Sequence, residues 1–499
     1  MRQAVRGVVA LLAGLLLPLG LAPYSQPWAP VLGLAVLFAL LAPPRTRALQ
    51  VAALSYLFGL GYAGFGVYWI HHSIAHYGGG PLAAGLAITV LVALFALIPM
   101  TAMLLGWWAG RRHRAVALLL AFPAGWVFVE WVRSWLFTGA TWLSLGYSQV
   151  DTPLAAFAPV FGVYGSSAAV ALLAGGLAWW LRRPLSLRLL APVGLALGLL
   201  GGGVMLERDW SRSAGEPVSV AMIQGSIAQS RKWDPAESGG ILAEYVALTR
   251  QAFGADLIVW PETAVPALYH QAAAWLEDLA AEARAAGSTL VVGTPAADQT
   301  GEALFNAVAV PGATTQFYYK RHLVPFGEYV PFRDLAGGLL DFVGTPLGDF
   351  RAGVSAAPLE AAGLQLGVSI CYEITFGTRV AASLPAAEVL LNVSNDAWFG
   401  HTAAPWQHLQ MARMRAIETG RPVIRATNTG VSALIDGRGK LLRTAPLFEP
   451  RIVTGTVVPR AGTTPYMQWR DAPMAVLAGV LLLGCAALGR RRYQLFRPV

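Results

Sequence analysis

Leu364-Gln365-Leu366-Gly367-Val368-Ser369-Ile370-Cys371-Tyr372-Glu373-Ile374-Thr375 is the stretch on which the fold turns. Its apolar first part predicts a buried strand, and the polar residues after Cys371 predict a turn toward a helix. An elbow of this kind exposes the sulfur. Backbone N–H groups at the start of the following helix favour the thiolate and can hold a developing oxyanion. The competing reading is an inert, buried cysteine.

Working outward, β-branched runs at Val218–Ile223, Leu257–Trp260, Thr289–Val292, Ala307–Val310, Thr315–Tyr319, Val389–Val393, Val423–Ala426 and Val431–Ile435 predict further strands. Helices are expected over Pro235–Phe253, Tyr269–Ala286, Thr375–Ala382 and Pro405–Thr419. The alternation describes one α/β domain, with Asp436-Gly437 and Arg438-Gly439 forming a hairpin turn before Lys440–Leu442. No internal repeat is visible in the residues.

Two other strand ends in this domain carry reactive side chains. In Leu257-Ile258-Val259-Trp260-Pro261-Glu262, the proline stops the strand and leaves Glu262 at the sheet's carboxyl edge. Desolvated beside Trp260, that carboxylate can serve as a general base; the alternative is an exposed loop glutamate. In Phe317-Tyr318-Tyr319-Lys320-Arg321-His322-Leu323-Val324-Pro325-Phe326-Gly327-Glu328, an aromatic strand delivers Lys320, with Glu328 in the turn beyond. A lysine in a cleft stabilises an oxyanion and lowers a neighbouring thiol's pKa, whereas Lys320 and Arg321 at a solvated edge would do neither. His322 either orients the lysine turn or caps it. A thiol, a base and a cation at converging strand ends amount to covalent acyl transfer.

The remainder of the chain is of another kind. Of 499 residues, 56% are hydrophobic and 13% charged, so lipid must solvate much of the surface. Apolar runs at Ala4–Ala22, Trp28–Ala42, Ala48–Ile70, Pro81–Gly110, Ala115–Phe137, Pro153–Leu181, Leu189–Leu206 and Pro473–Gly489 predict about eight membrane spans, with Pro99 placed to kink the fourth. Arg2 and Arg6, Arg45 and Arg47, Arg111, Arg112 and Arg114, Arg182, Arg183 and Arg188, and Arg490, Arg491, Arg492 and Arg497 occupy alternate ends, and the loops between them hold no Lys or Arg. Both termini are therefore expected in the cytoplasm and the α/β domain outside it. The predicted organisation is a membrane region over 1–206, an extracytoplasmic catalytic domain over 207–472, and a last helix with a basic tail over 473–499.

The +9 net charge is explained by these orienting clusters, and nucleic-acid binding is not expected. Cys371 and Cys485 are the two cysteines. They fall in different compartments, so no disulfide is expected; Cys485, among Leu and Ala, reads as a packing residue. No Gly-x-Ser-x-Gly and no P-loop occurs. His71, His72 and His76 read as loop histidines rather than metal ligands, and neither metal nor cofactor is expected.

Trp260-Pro261-Glu262-Thr263, the Lys320 to Glu328 stretch, Cys371-Tyr372-Glu373 and Ser394-Asn395-Asp396-Ala397-Trp398-Phe399-Gly400, in this order behind a multispan region, closely resemble the apolipoprotein N-acyltransferase family. The resemblance covers essentially the whole chain. It implies a nitrilase-like αββα sandwich beside a polytopic α-helical bundle, with Glu262 as base, Lys320 as oxyanion and thiolate stabiliser and Cys371 as nucleophile. It further implies that Glu328, Tyr372 and Glu373 support the site, that Trp233 lies on a substrate-contacting loop, and that Trp398 and Phe399 help form a lipid entrance. For each of these aromatics, anchoring at the membrane interface is the alternative. Glu130 and Arg133 match the family's Glu-x-x-Arg stretch, where mutual pairing is the simplest account. Ala140-Thr141 and Ala404 depart from residues common in the family, which bears on loop shape and not on reaction class.

The implied reaction is ping-pong: Cys371 takes an acyl chain from a glycerophospholipid as a thioester, and the α-amino group of a diacylated lipoprotein's N-terminal cysteine then accepts it. A bacterial inner-membrane monomer is expected. The rivals are a membrane-tethered amidase, with water as second nucleophile, and a transporter with a binding domain, which the scarcity of ionisable residues in the spans disfavours.

Overall fold

The computed structural model describes residues 2–42, 46–77, 79–181, 190–234, 236–298, 300–331 and 350–495. It divides into two compact units, Met1–Arg208 with Gln468–Val499, and Asp209–Met467. Arg45, Arg182, Arg183, Arg188, Leu189, Pro235 and Arg497, named above, lie outside the described residues.

The first unit is helical. Among the described residues, Gln3–Gly20, Ala48–Gly66, Gly80–Gly110, Arg114–Arg133 and Pro153–Leu181 are long and apolar enough to cross a membrane, and Trp28–Leu41, Val193–Leu206 and Ala472–Leu488 are shorter apolar helices. Helices Arg2–Leu15 and Ala48–Gly66 meet through small residues: a Cβ on Gly14 would lie 2.0 Å from the Phe58 carbonyl oxygen, and one on Gly61 2.2 Å from that of Leu11. Such close backbone approach supplies packing where the solvent is itself apolar. The long fourth run is two helices, Gly80–Phe95 and Leu97–Gly110, broken at Ala96. Pro99 has no N–H to donate to the Phe95 carbonyl four residues back. Cys485 packs beside Ala109, Ala121 and Ala124.

Two expectations in this unit need correction. His71, His72 and His76 are not in a loop: Trp69–Tyr77 is a helix, and one turn stacks His72 on His76 with ring centroids 4.0 Å apart. Glu130 and Arg133 do not pair with each other among the described residues. Glu130 Oε1 accepts from the Trp126 indole and the Leu145 N–H, both at 2.9 Å. Arg133 donates to the Trp142 carbonyl at 2.6 Å and the Ser144 hydroxyl at 3.0 Å. Together they clamp the loop that follows their helix.

Among the described residues, the second unit holds, besides a two-stranded ribbon of Arg212–Ser213 with Arg460–Ala461, two six-stranded sheets: β1 Val218–Gln224, β2 Leu257–Val259, β3 Thr289–Ala297, β4 Leu304–Val310, β5 Gln316–Tyr319, β6 Leu359–Ala361, β7 Leu364–Ile370, β8 Val389–Ser394, β9 Val423–Thr427, β10 Ala433–Ile435, β11 Leu441–Thr444 and β12 Arg451–Val457. One sheet has the order β12-β1-β2-β3-β4-β5 and the other β6-β7-β8-β9-β10-β11. Each has three central parallel strands, two antiparallel strands on one side and one antiparallel strand on the other. The sheets thus repeat one pattern of pairing that the residues do not, differing in that the lone edge strand is β12, the last of these strands in the chain, in one and β6, just before its neighbour, in the other.

Alternation along the strands builds the layers. Val220, Met222, Leu257 and Val259 point inward against Val368, Leu391 and Val393 of the other sheet. Ala221, Ile223 and Ile258 point outward against helices α1 Ser238–Gln251 and α2 Tyr269–Ala285. Leu390 and Val423 meet Leu409, Ala412 and Ala416 of α3 Ala404–Thr419. The result is an αββα sandwich. The helix expected over Thr375–Ala382 is instead a chain of short turns, beginning at Cys371 itself.

Gly293 in β3 shows why the turn after β2 tolerates no extra atom. A Cβ there would lie 2.2 Å from the Pro261 carbonyl oxygen and 2.7 Å from the Glu262 Cα. Gly293→Ala is expected to destabilise the protein by about 1–3 kcal/mol and to displace the Glu262 turn. A thermal melt of the purified variant that matches wild type would contradict this.

Candidate active site

Three strand ends bring their side chains together. Glu262, Lys320 and Glu328 are all buried, Lys320 at 1% exposure. Lys320 Nζ lies 2.8 Å from Glu328 Oε1 and 3.5 Å from Glu262 Oε1. Burial by itself lowers the pKa of the ammonium, but Glu328 and Glu262 outweigh it and hold it above the ordinary lysine range. Two carboxylates occupy two of the lysine's three N–H groups.

Glu262 is fixed from both sheets. Asn306, in β4, donates through Nδ2 to Glu262 Oε1 at 2.7 Å and to Glu328 Oε1 at 3.0 Å. The backbone N–H of Asn395, just past β8, donates to Glu262 Oε2 at 2.7 Å. Glu328 Oε2 accepts from the Val324 N–H at 2.8 Å, closing the turn on which it sits.

Cys371 follows β7 with φ +51°, a left-handed conformation that an L-residue adopts only when its surroundings impose it. Those surroundings are specific. Glu373 Oε2 accepts from the N–H of Ile370 at 2.8 Å, and the His408 ring lies 3.1 Å through Nε2 from the Cys371 carbonyl oxygen. The half-buried, free thiol feels the charges of Glu262 and Lys320. Burial and the Glu262 charge raise its pKa well above the usual thiol range, and Lys320 offsets this only in part. Lys320 thus acts on the thiol in the expected direction, but burial and Glu262 outweigh it, so a base is needed to take the proton during reaction.

Glu373 is saturated. Besides Ile370, it accepts from the Tyr318 hydroxyl at 3.0 Å and from the backbone N–H groups of Arg321 at 2.7 Å and His322 at 3.0 Å. One carboxylate thus ties the start of the cysteine elbow to the residues that follow Lys320, His322 among them through its backbone N–H. Burial raises the Glu373 pKa against these donors. Tyr372 packs with its ring on His322 and Phe376. Phe399 packs edge-on to His408, Trp398 is half-buried, and Trp233 is 40% exposed on the turn after Gln229–Lys232.

Residue reasoning missed the supports. Asn306 shows no motif, and its role arises from register alone. Asp396, His408 and Arg425 form a fully buried network beneath Cys371: Asp396 Oδ1 lies 3.1 Å from His408 Nδ1, and Arg425 donates to Asp396 Oδ2 at 2.8 Å. Burial works against the Asp396 charge, yet Arg425 and His408 hold its pKa at about 2. Burial and then Arg425 lower the pKa of His408, while Asp396 and the Cys371 carbonyl oxygen, 3.1 Å from Nε2, oppose them.

A cysteine at an elbow between two stacked sheets, facing a buried carboxylate and lysine, defines a carbon-nitrogen hydrolase domain. That family matches residues 219–466, and the apolipoprotein N-acyltransferase N-terminal domain matches residues 13–176. Proteins named apolipoprotein N-acyltransferase from Methylococcus capsulatus, Pseudomonas aeruginosa and Azotobacter vinelandii are 45%, 43% and 41% identical to this chain. Each alignment covers 97% of the chain and 96%, 96% and 95% of the respective relative. The chain belongs to the apolipoprotein N-acyltransferase family. A solved nitrilase-superfamily protein of Saccharomyces cerevisiae aligns at 17% identity with a TM-score of 0.39, covering 52% of this chain and 97% of that one.

The raised thiol pKa has a direct consequence. Alkylation of Cys371 by iodoacetamide is expected to accelerate roughly tenfold per pH unit from about pH 7 to 9, tracking the thiolate fraction. Intact mass, with Cys371→Ala as the blank for Cys485, reads the rate. A rate already independent of pH at neutrality would contradict the assignment.

Proposed function

We propose that the protein transfers an acyl chain from a glycerophospholipid, through a Cys371 thioester, to the α-amino group of the N-terminal diacylglyceryl-cysteine of apolipoproteins, completing lipoprotein maturation. The observation that carries this reading is the free Cys371 thiol on a left-handed elbow, acted on by the charges of the buried, paired Glu262 and Lys320.

In the first half-reaction Glu262 takes the thiol proton as the sulfur attacks the ester carbonyl. The remaining N–H of Lys320 meets the tetrahedral oxyanion. Collapse breaks the ester C–O bond, and Glu262 returns the proton to the departing lysophospholipid. In the second half-reaction the amine attacks the thioester, Glu262 accepts its proton, and as the C–S bond breaks Glu262 returns that proton to the sulfur, leaving an amide and the free thiol. Glu328 and Asn306 hold Lys320 and Glu262 in register. Glu373 and Tyr372 shape the elbow, while Trp233, Trp398 and Phe399 are assigned to substrate contact and lipid entry. No metal or cofactor takes part.

The membrane setting is supported by the arginine pattern and the apolar helices. We place about eight spans in the bacterial inner membrane, both termini in the cytoplasm, and residues 207–472 in the periplasm between the membrane region 1–206 and the last helix 473–499. Two lipid substrates then reach the site by lateral diffusion, and low water activity protects the thioester. A monomer suffices, since one chain supplies each proposed catalytic group.

The test combines purified protein, phospholipid and a synthetic diacylglyceryl-cysteine peptide. Wild type is expected to yield N-acylated peptide and lysophospholipid in equal amounts, with Glu262→Gln, Lys320→Met and Cys371→Ala each about a thousandfold slower or worse. Free fatty acid without acylated peptide would instead support the tethered amidase.

A further inference from the structure

We propose that Lys232 is a positioning residue for Glu262, its ammonium holding the turn that bears the carboxylate and tying that turn to the loop bearing Trp233. The proposal rests on the reading of Glu262 as the base. Lys232 is fully buried. Its Nζ donates to the Glu262 carbonyl oxygen at 3.2 Å and to the Thr263 hydroxyl at 3.0 Å. Thr263 has φ +45°, a conformation that a β-branched residue avoids unless it is held.

The same segment reaches Glu262 by a second route. Gln229 Oε1 accepts from Asn395 Nδ2 at 2.8 Å, and the Asn395 backbone N–H is the donor to Glu262 Oε2. Asn428 anchors the segment's start, accepting from the Ile227 N–H at 2.9 Å and donating to the Ile227 carbonyl at 2.7 Å. Residues 227–232 therefore hold both the backbone and, through Asn395, the carboxylate of Glu262. Trp233 is the next residue, so whatever occupies the exposed Trp233 face is linked mechanically to the position of Glu262.

Fold stability does not account for a lysine here. An ammonium out of water whose hydrogen-bond partners are a carbonyl and a hydroxyl is a net cost to folding, and an isosteric apolar side chain would avoid it. Burial lowers its pKa to about 7, with the Glu262 charge opposing. A lysine that keeps its charge only in part near neutral pH is retained beside Glu262 at the expense of desolvation, which fits a role in the reaction.

The experiment compares full-length Lys232→Met and Lys232→Gln with wild type and Glu262→Gln, measuring the thermal midpoint and the single-turnover rate of acyl-enzyme formation from phospholipid. Lys232→Met is expected to melt at or above the wild-type temperature while forming the acyl-enzyme roughly tenfold to a hundredfold more slowly. Its half-saturating phospholipid concentration should stay within about twofold of wild type. Lys232→Gln, which keeps a donor without the charge, should fall between. Acylation by Lys232→Met at the wild-type rate overturns the proposal, as does a loss that merely follows loss of folded protein. If Lys232→Met does not fold, a folded Lys232→Gln with wild-type rate overturns it equally. A Glu262→Gln variant that acylates normally removes the base reading itself, a failure distinct from that of Lys232.

Discussion

The candidate site is arranged around the buried ammonium of Lys320, held between the carboxylates of Glu262 and Glu328. Charges removed from water are tolerable only when their partners are fixed, and losing one partner from such a group costs about 3–5 kcal/mol. The fixing is visible in Asn306, which bridges the two carboxylates, and in the Asn395 N–H, which comes from the opposite sheet. The cluster therefore cannot form until both sheets have stacked, and the stacking core of Val220, Met222, Val368 and Leu391 is as much a part of the site as the reacting groups.

The second constraint is the elbow. Cys371 sits in a left-handed conformation held from below by a buried Asp396, His408 and Arg425 network and from the side by Glu373. A neutral thiol in that position is nucleophilic only when a base removes its proton. Burial and the Glu262 charge disfavour the idle thiolate, and in the proposed reaction Glu262 supplies the basicity at the moment of attack.

Much of this was legible in the residues, and the reasons are physical. Pro261 stops β2 beside Glu262, an aromatic strand runs into Lys320, and Leu364–Ile370 is apolar up to Cys371; each is a local signal, and each strand was found near its place. What escaped was non-local. Strand β12, with its exposed Thr454 and Thr456 on an outer edge, lacks the apolar run of a buried strand. The repeated pattern of strand pairing leaves no trace because backbone pairing repeats while side chains do not. Asn306, His408 and Lys232 look like ordinary polar residues until the fold brings them beside Glu262 or Cys371. The three histidines after Trp69 were misread as a loop because their polarity masked a helix.

The central claim is that Cys371 carries the acyl chain. Detergent-purified protein mixed with phospholipid and weighed intact, beside Cys371→Ala, tests it most directly. The account predicts a gain of one acyl chain, removed by hydroxylamine and absent from the variant. Folded wild-type protein that releases lysophospholipid without ever carrying the adduct, or a variant that carries it, would contradict the account.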